Sequence, residues 1–353
     1  MKDKLLIYGC NGYTGTLISQ HAKEKGLEPI LAGRNEAAVK QLATELALPY
    51  RVFDITDTPA INNALQDCRV VLHCAGPFLY TSRQMIDACL QTGTHYLDIT
   101  GEIGVFEAAH KRSDEATKAG IILMPGVGFD VVPTDCLALY LKEQLPDATH
   151  LELCLNMVGG KLSHGTAITI AESLDSGSAI RRNGTIVKTR SGGTTRVIEF
   201  GGARRTAVEI PWGDVSTAYY TTGIPNIRVY NVLPQQLITS MKWSCYIAPI
   251  LGMRWVKDRV IATIKKRPTG PTSAQRLVAK SLVWGEVKNA IGTSVIALLT
   301  APEGYTLTAF TAVEIATRVL QGDFTISGFH TPASVFGAGF INSFGGVSIN
   351  IVE

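Results

Sequence analysis

A strand-to-helix turn built on three evenly spaced glycines stands at the start of the chain and restricts its fold more than any other feature. The apolar run Leu5–Tyr8 leads directly into Gly9-Cys10-Asn11-Gly12-Tyr13-Thr14-Gly15, where a helical pattern begins. In a G-x-x-G-x-x-G turn, the first glycine allows the tight bend and the second lets the backbone approach a phosphate. The third lets the helix pack closely on the strand. The turn therefore predicts a parallel α/β fold that opens with a phosphate-binding loop.

Short apolar runs alternate with helical patterns over the first third of the chain. This alternation is typical of a parallel sheet with crossover helices. Beyond Pro133 the pattern changes to short strands with few helices between them, which is typical of an α+β domain. The six strands predicted for the first sheet are Leu5–Tyr8, Pro29–Ala32, Tyr50–Phe53, Val70–Cys74, His95–Ile99 and Ile121–Met124.

The length of the chain, 353 residues, exceeds what one hydrophobic core usually supports. We predict that residues 1–130 form a Rossmann-type, doubly wound parallel sheet of the α/β class. Residues 131–330 are predicted to form a second α+β domain with a mostly antiparallel sheet, for substrate binding and dimerisation. Residues 331–353 are predicted to form a C-terminal segment that returns to the Rossmann domain. Within the second part, helices are predicted over Ser163–Arg182, Pro234–Val260 and Glu303–Leu320.

The ends of the predicted strands supply candidate nucleotide-binding residues. An NAD site usually has an acid at the end of the second strand, on the ribose 2′-hydroxyl, but this chain has Arg34, whose guanidinium suits a 2′-phosphate. We therefore predict NADP(H) as the preferred cofactor, with NAD(H) as the second option if Glu36 holds the ribose. Asp54 is expected either to accept a bond from the adenine amino group or to cap the next helix. The candidate cofactor-binding residues are Gly9, Asn11, Gly12, Tyr13, Thr14, Gly15, Arg34, Asp54, Ala75, Gly76 and Pro77.

Hydride chemistry also needs a group that handles one proton near the carboxyl ends of the strands. The candidate catalytic residues are Tyr80, which follows the fourth predicted strand, Asp98, near the end of the fifth, and Glu102, which follows the fifth. Helix capping by Asp98, with Glu102 in solvent, is the competing interpretation. For Asp130 we favour a structural role at the link to the second domain. His73 lies inside an apolar strand, where a core imidazole is more common than a general base.

Several further motifs accompany the glycine turn: Ala32-Gly33-Arg34-Asn35, Ala75-Gly76-Pro77-Phe78, Gly93 to Glu102, Gly128 to Asp135 and Pro211-Trp212-Gly213-Asp214. Together these motifs resemble the saccharopine dehydrogenase-like family, and most closely its trans-acting enoyl reductase branch. The resemblance implies a nicotinamide-dependent oxidoreductase with an amino-terminal Rossmann domain and a carboxy-terminal substrate domain. It would reduce a carbonyl, imine or enoyl group of a small-molecule or acyl substrate. The alternative is a non-catalytic NADP(H)-responsive binding protein.

Composition narrows the remaining classes. The seven cysteines are scattered, with no Cys-x-x-Cys pair, which argues against a zinc site or a disulfide framework and favours a reducing, cytoplasmic setting. No metal site is expected. The apolar stretch Trp243–Val256 is followed by a basic cluster that runs to Arg267. We expect a buried helix or a solvated positive face there, or a homodimer interface, with an anionic membrane surface as the lesser alternative. Nucleic acid is not expected, because no recognition helix accompanies the charges.

Overall fold

The computed structural model of the protein describes residues 2–172, 175–244, 246 and 248–352. The chain divides into two compact units. One consists of Met1–Val132 and Tyr305–Val335, and the other of Pro133–Gly304 and Phe336–Glu353. The later segment that belongs to the first unit is therefore 305–335. The sequence predicts instead that residues 331–353 return to this unit.

The first part of the chain alternates between strands and helices, with two helices in succession only before its last strand. Its elements are β1 (Lys4–Tyr8), α1 (Tyr13–Glu24), β2 (Ile30–Gly33), α2 (Glu36–Leu46), β3 (Tyr50–Val52), α3 (Thr58–Leu65), β4 (Cys68–His73), α4 (Phe78–Thr92), β5 (His95–Asp98), α5 (Ile103–His110), α6 (Ser113–Ala119) and β6 (Ile122–Met124). Local sequence fixes several helix starts. The side chains of Asn35 and Asp57 cap α2 and α3 by accepting the backbone N–H groups of Ala38 and Ala60.

The middle and last parts of the chain are richer in antiparallel strands. The middle elements are α7 (Val132–Gln144), β7 (His150–Val158), α8 (His164–Glu172), β8 (Ser178–Arg182), β9 (Thr185–Thr189), β10 (Thr195–Phe200), β11 (Ala203–Glu209), α9 (Asp214–Thr222), β12 (Asn226–Val232), α10 (Gln235–Ser244), α11 (Ala248–Leu251), α12 (Arg254–Ile264), α13 (Ser273–Val278), β13 (Lys280–Lys288) and β14 (Ser294–Pro302). The last elements are α14 (Gly304–Leu320), β15 (Gly328–Phe329), α15 (Pro332–Phe336), a 3₁₀ helix (Ala338–Ser343) and β16 (Ser348–Ile351).

The first unit is built on a seven-stranded sheet with the order β15-β6-β5-β4-β1-β2-β3, in which every pairing is parallel. Strand β1 lies between β2 and β4, so the chain winds in opposite directions on its two sides. This is the doubly wound arrangement, and the crevice at the carboxyl ends of β1 and β4 is where such sheets bind ligands. The Rossmann fold predicted from the sequence is confirmed.

Helix α14 and strand β15 belong to the first unit because specific polar bonds hold them there. The Thr308 hydroxyl accepts the Phe129 N–H at 2.9 Å, and the Thr311 hydroxyl donates to the Val127 carbonyl at 2.8 Å. Strand β15 then extends the sheet by pairing with β6. The sheet therefore gains its seventh strand from a segment about two hundred residues further along the chain, by the numbering of the paired strands.

The second unit holds a nine-stranded mixed sheet whose main path is β10-β11-β12-β7-β13-β14-β16, with the β8–β9 hairpin attached to β12. Apart from the parallel β7–β12 pair, its pairings are antiparallel, as expected. An apolar cluster on one face includes Trp284, Tyr230 and Phe200. The expectation of a helix over Ser163–Arg182 is correct only for α8, because Ser178–Arg182 forms a strand that pairs with β9.

Candidate functional site

The glycine turn predicted from the sequence lies at the carboxyl end of β1, beside the end of β4. Gly9 has a left-handed backbone (φ 82°), and a Cβ added there would lie 2.8 Å from Ala75. A Cβ added to Gly15 would lie 2.2 Å from the Gly9 carbonyl oxygen. These two glycines are therefore required for the turn itself and for the close packing of α1 on β1.

Gly12 differs from the other two because it begins helix α1. It occupies the N-cap position and supplies no side-chain cap, so the helix start presents backbone alone. A Cβ there would approach only the Gly9 carbonyl oxygen, at 3.3 Å. An uncapped helix start at a sheet crevice is suited to phosphate oxygens, which bind N–H groups and the positive end of the helix dipole. Asn11 lies in the turn, and Tyr13 and Thr14 are the first residues of α1.

Arg34 follows β2 at the neighbouring strand end, and its side chain is exposed. Within the described residues, its guanidinium makes no ion pair. Asn35 is occupied as the cap of α2, and Glu36 lies in the first turn of that helix. A free guanidinium at the end of β2 is the group that a ribose 2′-phosphate requires.

Asp54 follows β3 and forms a local turn. Its carboxylate accepts both the backbone N–H and the hydroxyl of Thr56, and these bonds lower its pKa below the usual range. The cap of α3 is Asp57, so capping does not account for Asp54. The exposed carboxylate stands beside Phe53, whose ring lies 4.9 Å from that of Tyr8. An adenine contact for Asp54 stays a prediction.

The loop after β4 carries Ala75, Gly76 and Pro77, with a cis bond between the last two. The Thr81 hydroxyl donates to the Ala75 carbonyl at 2.7 Å and also lies 2.9 Å from Nε2 of His73. The loop is therefore tied to the buried end of its own strand. This fixes its backbone beside the glycine turn.

Glu102 holds the other side of the same loop. Its two carboxylate oxygens accept hydrogen bonds from the backbone N–H groups of Phe78 and Leu79, at 2.9 and 2.8 Å. These are the first two residues of α4. Burial raises the pKa of Glu102, and these two bonds oppose the rise. The geometry gives this carboxylate a positioning role: it caps α4 from outside and orients the β4 loop.

Asp98 ends β5 and is fully buried. It accepts bonds from the Tyr96 hydroxyl at 2.6 Å and from the backbone N–H groups of Thr100 and Gly126, each at 2.9 Å. Burial raises its pKa to about 7, against the lowering effect of these bonds. The Asp98 carboxyl therefore joins β5 to the loop after β6. Because it is fully buried and has three protein partners, its arrangement favours a structural role over proton exchange with a ligand.

Asp130 lies after β6, and its side chain is half-buried. Burial raises its pKa to about 7, and the negative charge of Glu102 adds to the rise. Gly101 leaves room for this carboxyl, because a Cβ there would lie 3.0 Å from Oδ2 of Asp130. A carboxyl that is half-buried, shifted towards neutral pH and placed at the carboxyl edge of a nucleotide-binding sheet is a good candidate for acid–base work.

The sequence favours a structural role for Asp130 and contains little that indicates an acid–base role. The charge of Glu102, which raises the pKa of Asp130, comes close to it only in the folded chain. Tyr80 is exposed in the first turn of α4, at the same edge. Burial lowers the pKa of His73 to about 3 and that of His95 to about 4, so both rings are neutral at neutral pH.

Comparison with known proteins agrees with this geometry. Residues 5–124 match the family described as the saccharopine dehydrogenase NADP binding domain. The first part of the chain is thus similar to this nucleotide-binding domain. The match begins within β1 and ends with β6, so it covers the glycine turn, Arg34 and both loops described above. The resemblance drawn from the sequence motifs is confirmed.

Two curated relatives match part of the chain. A saccharopine dehydrogenase-like oxidoreductase of Mus musculus is 25% identical over 161 residues, which is 40% of this chain and 38% of the relative. A trans-acting enoyl reductase of Mycobacterium leprae is 29% identical over 160 residues, or 42% of this chain and 38% of the relative. Each match thus covers less than half of either protein.

The fold has a solved counterpart over nearly the full length. Apo saccharopine dehydrogenase (L-Glu forming) from Saccharomyces cerevisiae superimposes with a TM-score of 0.69 and 13% identity, covering 99% of this chain and 100% of that one. At this identity the likeness establishes the fold. Within the described residues, no group of three His, Cys, Asp or Glu side chains is placed to hold a metal ion.

Proposed function

We propose that the chain is an NADP(H)-dependent oxidoreductase that reduces a carbonyl, imine or enoyl group of a small-molecule or acyl substrate. The observation that carries the proposal is the carboxyl edge of the sheet, where β1 lies between β4 and β2. The uncapped helix start at Gly12 follows β1, and Arg34, which makes no ion pair with the residues that the structure describes, follows the neighbouring strand β2. The first suits the pyrophosphate and the second suits the 2′-phosphate that distinguishes NADP from NAD.

The described residues fit such a cofactor. The glycine turn cannot carry side chains at Gly9 or Gly15, so its backbone is held open to a ligand. Ala75 has only a methyl side chain and Gly76 has none, so the loop after β4 would leave room for the nicotinamide end of the cofactor, and Glu102 and Thr81 hold that loop. When bound, NADPH supplies a hydride, and the chain must then position the substrate and provide a proton.

Asp130 is the residue we propose as the proton donor. A carboxylic acid with a pKa of about 7 is protonated in part at neutral pH, and it can give its proton to a substrate oxygen, nitrogen or carbon. Glu102 is close enough for its charge to raise that pKa, so it acts on Asp130 as well as on the β4 loop. Tyr80, at the same edge, is the second candidate.

The names of two relatives support the proposed substrate class. One relative is an enoyl reductase and others are saccharopine dehydrogenase-like oxidoreductases, so the acceptors to examine are enoyl, imine and carbonyl groups. We further propose a cytoplasmic location, since five of the cysteines in the described residues are buried and all six are unpaired, as suits a reducing compartment.

Turnover distinguishes an enzyme from an NADP(H)-responsive binding protein. Purified protein is mixed with NADPH and separate pools of enoyl thioesters, aldehydes, and ketones mixed with amines, and NADPH oxidation is followed by absorbance. We expect oxidation with one pool, and loss of it in Asp130→Asn. Tight NADPH binding with no oxidation in any pool would favour the binding protein instead.

A further inference from the structure

The helices after β12 leave large aromatic side chains in solvent. Trp243 at the end of α10 is 70% exposed, Tyr246 is 69% exposed and Trp255 in α12 is 56% exposed. Of the four tryptophans in the chain, Trp212 is half-buried and Trp284 is buried. Sequence composition left open whether this apolar stretch is core. None of its described residues is buried within one copy of the chain, so this exposed apolar area needs another explanation.

Aliphatic side chains extend this exposed apolar area. Ile250 is 49% exposed, Met253 is 46% exposed and Leu237 is 47% exposed. Together with the three aromatic residues, they are spread over three consecutive short helices. Stacking on nucleic-acid bases uses aromatic rings, whereas aliphatic chains of this kind gain free energy from contact with hydrocarbon.

Helix α12 shows how the exposed face is organised. Trp255, Arg259 and Ala262 recur at helical spacing and are exposed, whereas Lys257 and Ile264 lie on the opposite side. Lys257 bonds to the Asp175 carboxylate and the Glu172 carbonyl there, against α8. The Arg259 guanidinium lies 5.4 Å above the Trp255 ring. The helix therefore packs by one side and presents an aromatic-basic stripe on the other.

The sequence around these aromatic residues contains many basic side chains and few acidic ones. Residues 237–267 contain seven lysines and arginines and one acid, Asp258. Asp258 is bound to Arg254 at 2.9 Å. The exposed group Arg259, Lys265, Lys266 and Arg267 makes no ion pair with any residue that the structure describes. These cations are free to meet an anionic surface.

We propose that this aromatic-basic surface (Trp243, Tyr246, Trp255, Arg259 and Lys265 to Arg267) docks on an anionic lipid bilayer. Tryptophan and tyrosine favour the headgroup region, where the ring is half in hydrocarbon and its polar atom stays hydrated. Lysine and arginine next to them are attracted by acidic headgroups. Helices this short lie in the interface plane; within the described residues, no helix is long and apolar enough to span a membrane.

The test uses the full chain with vesicles of phosphatidylcholine alone or with phosphatidylserine added. We expect co-sedimentation with the serine-containing vesicles at low salt, and its loss at high salt, because screening weakens the headgroup attraction. Tryptophan fluorescence should shift to the blue on binding. The double variant Trp243→Ala/Trp255→Ala and the triple variant Lys265→Glu/Lys266→Glu/Arg267→Glu should each bind at least ~10-fold more weakly.

Matched variants elsewhere on the second unit serve as controls. Ile291→Ala removes an exposed apolar side chain from the β13–β14 turn, and Arg204→Glu/Arg205→Glu reverses two exposed charges on β11. Both should bind vesicles like the parent protein. Circular dichroism and thermal unfolding show whether every variant remains folded.

Three results would overturn the proposal. The first is no sedimentation with serine-containing vesicles at low salt by the folded parent protein. The second is a change of oligomeric mass in Trp243→Ala/Trp255→Ala without any change in vesicle binding, which would make the surface a contact between copies of the chain. The third is binding to single-stranded polyuridylate in place of vesicles.

Discussion

At the scale of single residues, Arg34 is the side chain expected to discriminate between the two nicotinamide cofactors. Arg34→Ala removes one charge-assisted contact to the 2′-phosphate, worth about 1.5–3 kcal/mol. NADPH affinity should therefore fall at least ~10-fold, while NADH affinity changes little. Isothermal titration measures both. Lys40→Ala, an exposed cation on α2, is the control and should bind NADPH normally. Equal losses for both cofactors in Arg34→Ala would refute this role.

Asp130 gives the activity its expected pH dependence. With a pKa of about 7, the protonated form is lost as pH rises through neutrality, so kcat/KM for reduction should fall above about pH 7. Asp130→Asn should remove this limb and lower kcat by about 10²-fold or more. A variant with the parent's pH profile would show that Asp130 is not the donor.

The same carboxyl should also affect stability, in a direction that follows from its raised pKa. The folded chain holds this proton more tightly than the unfolded chain, so stability is fully present below pH ~4 and is lost as pH rises to about 7. In Asp130→Asn, urea unfolding should show a smaller loss of stability over this pH range. This measurement does not depend on turnover.

At the scale of elements, the start of α1 can be tested separately from folding. Gly12 has room for a side chain apart from one contact at 3.3 Å with the Gly9 carbonyl, whereas Gly15 has none. Gly12→Val should abolish NADPH binding with an unchanged far-UV circular dichroism spectrum, because the added methyl groups occupy the phosphate position. Retained binding would mean that the glycine turn serves the fold alone.

The start of α4 depends on Glu102. Glu102→Ala leaves the N–H groups of Phe78 and Leu79 without their acceptors and should lower the free energy of unfolding by about 0.5–2 kcal/mol, as other helix caps do. Hydrogen exchange should quicken at these two amides. Glu102→Gln, which keeps an acceptor oxygen, should recover part of the loss. Complete loss of turnover in Glu102→Gln with unchanged exchange would instead indicate a catalytic residue.

Elements with a short-range sequence pattern could be predicted from the sequence. Elements that depend on burial or on pairing with distant residues could not. The glycine turn, the parallel strands and the caps have short-range signals. The sequence does not predict helix α7, because its first residues, Val132 to Ala138, are all buried, including the polar Thr134 and Asp135, and so lack the polar and apolar faces of a surface helix. The sequence predicts helix where strand β8 forms, because the pairing of β8 with β9 and β12 depends on residues outside that segment.

At the scale of the whole molecule, the division into two units shows the same limit. The return of Tyr305–Val335 to the first sheet rests on Thr308, Thr311 and the β6–β15 pairing, which join positions far apart in the chain. Neither composition nor local pattern predicts these long-range bonds. The candidate site has the same character: its glycine turn is local, but the capping of α4 by Glu102 and the influence of Glu102 on Asp130 appear only once the strands are side by side.

The most direct test of the account is an equilibrium titration of the unmodified protein with NADPH and with NADH. The account predicts one site per chain and binding of NADPH at least ~10-fold tighter than of NADH, since only NADPH carries the phosphate that Arg34 can hold. No binding of either cofactor, or binding of NADH as tight as that of NADPH, would contradict it.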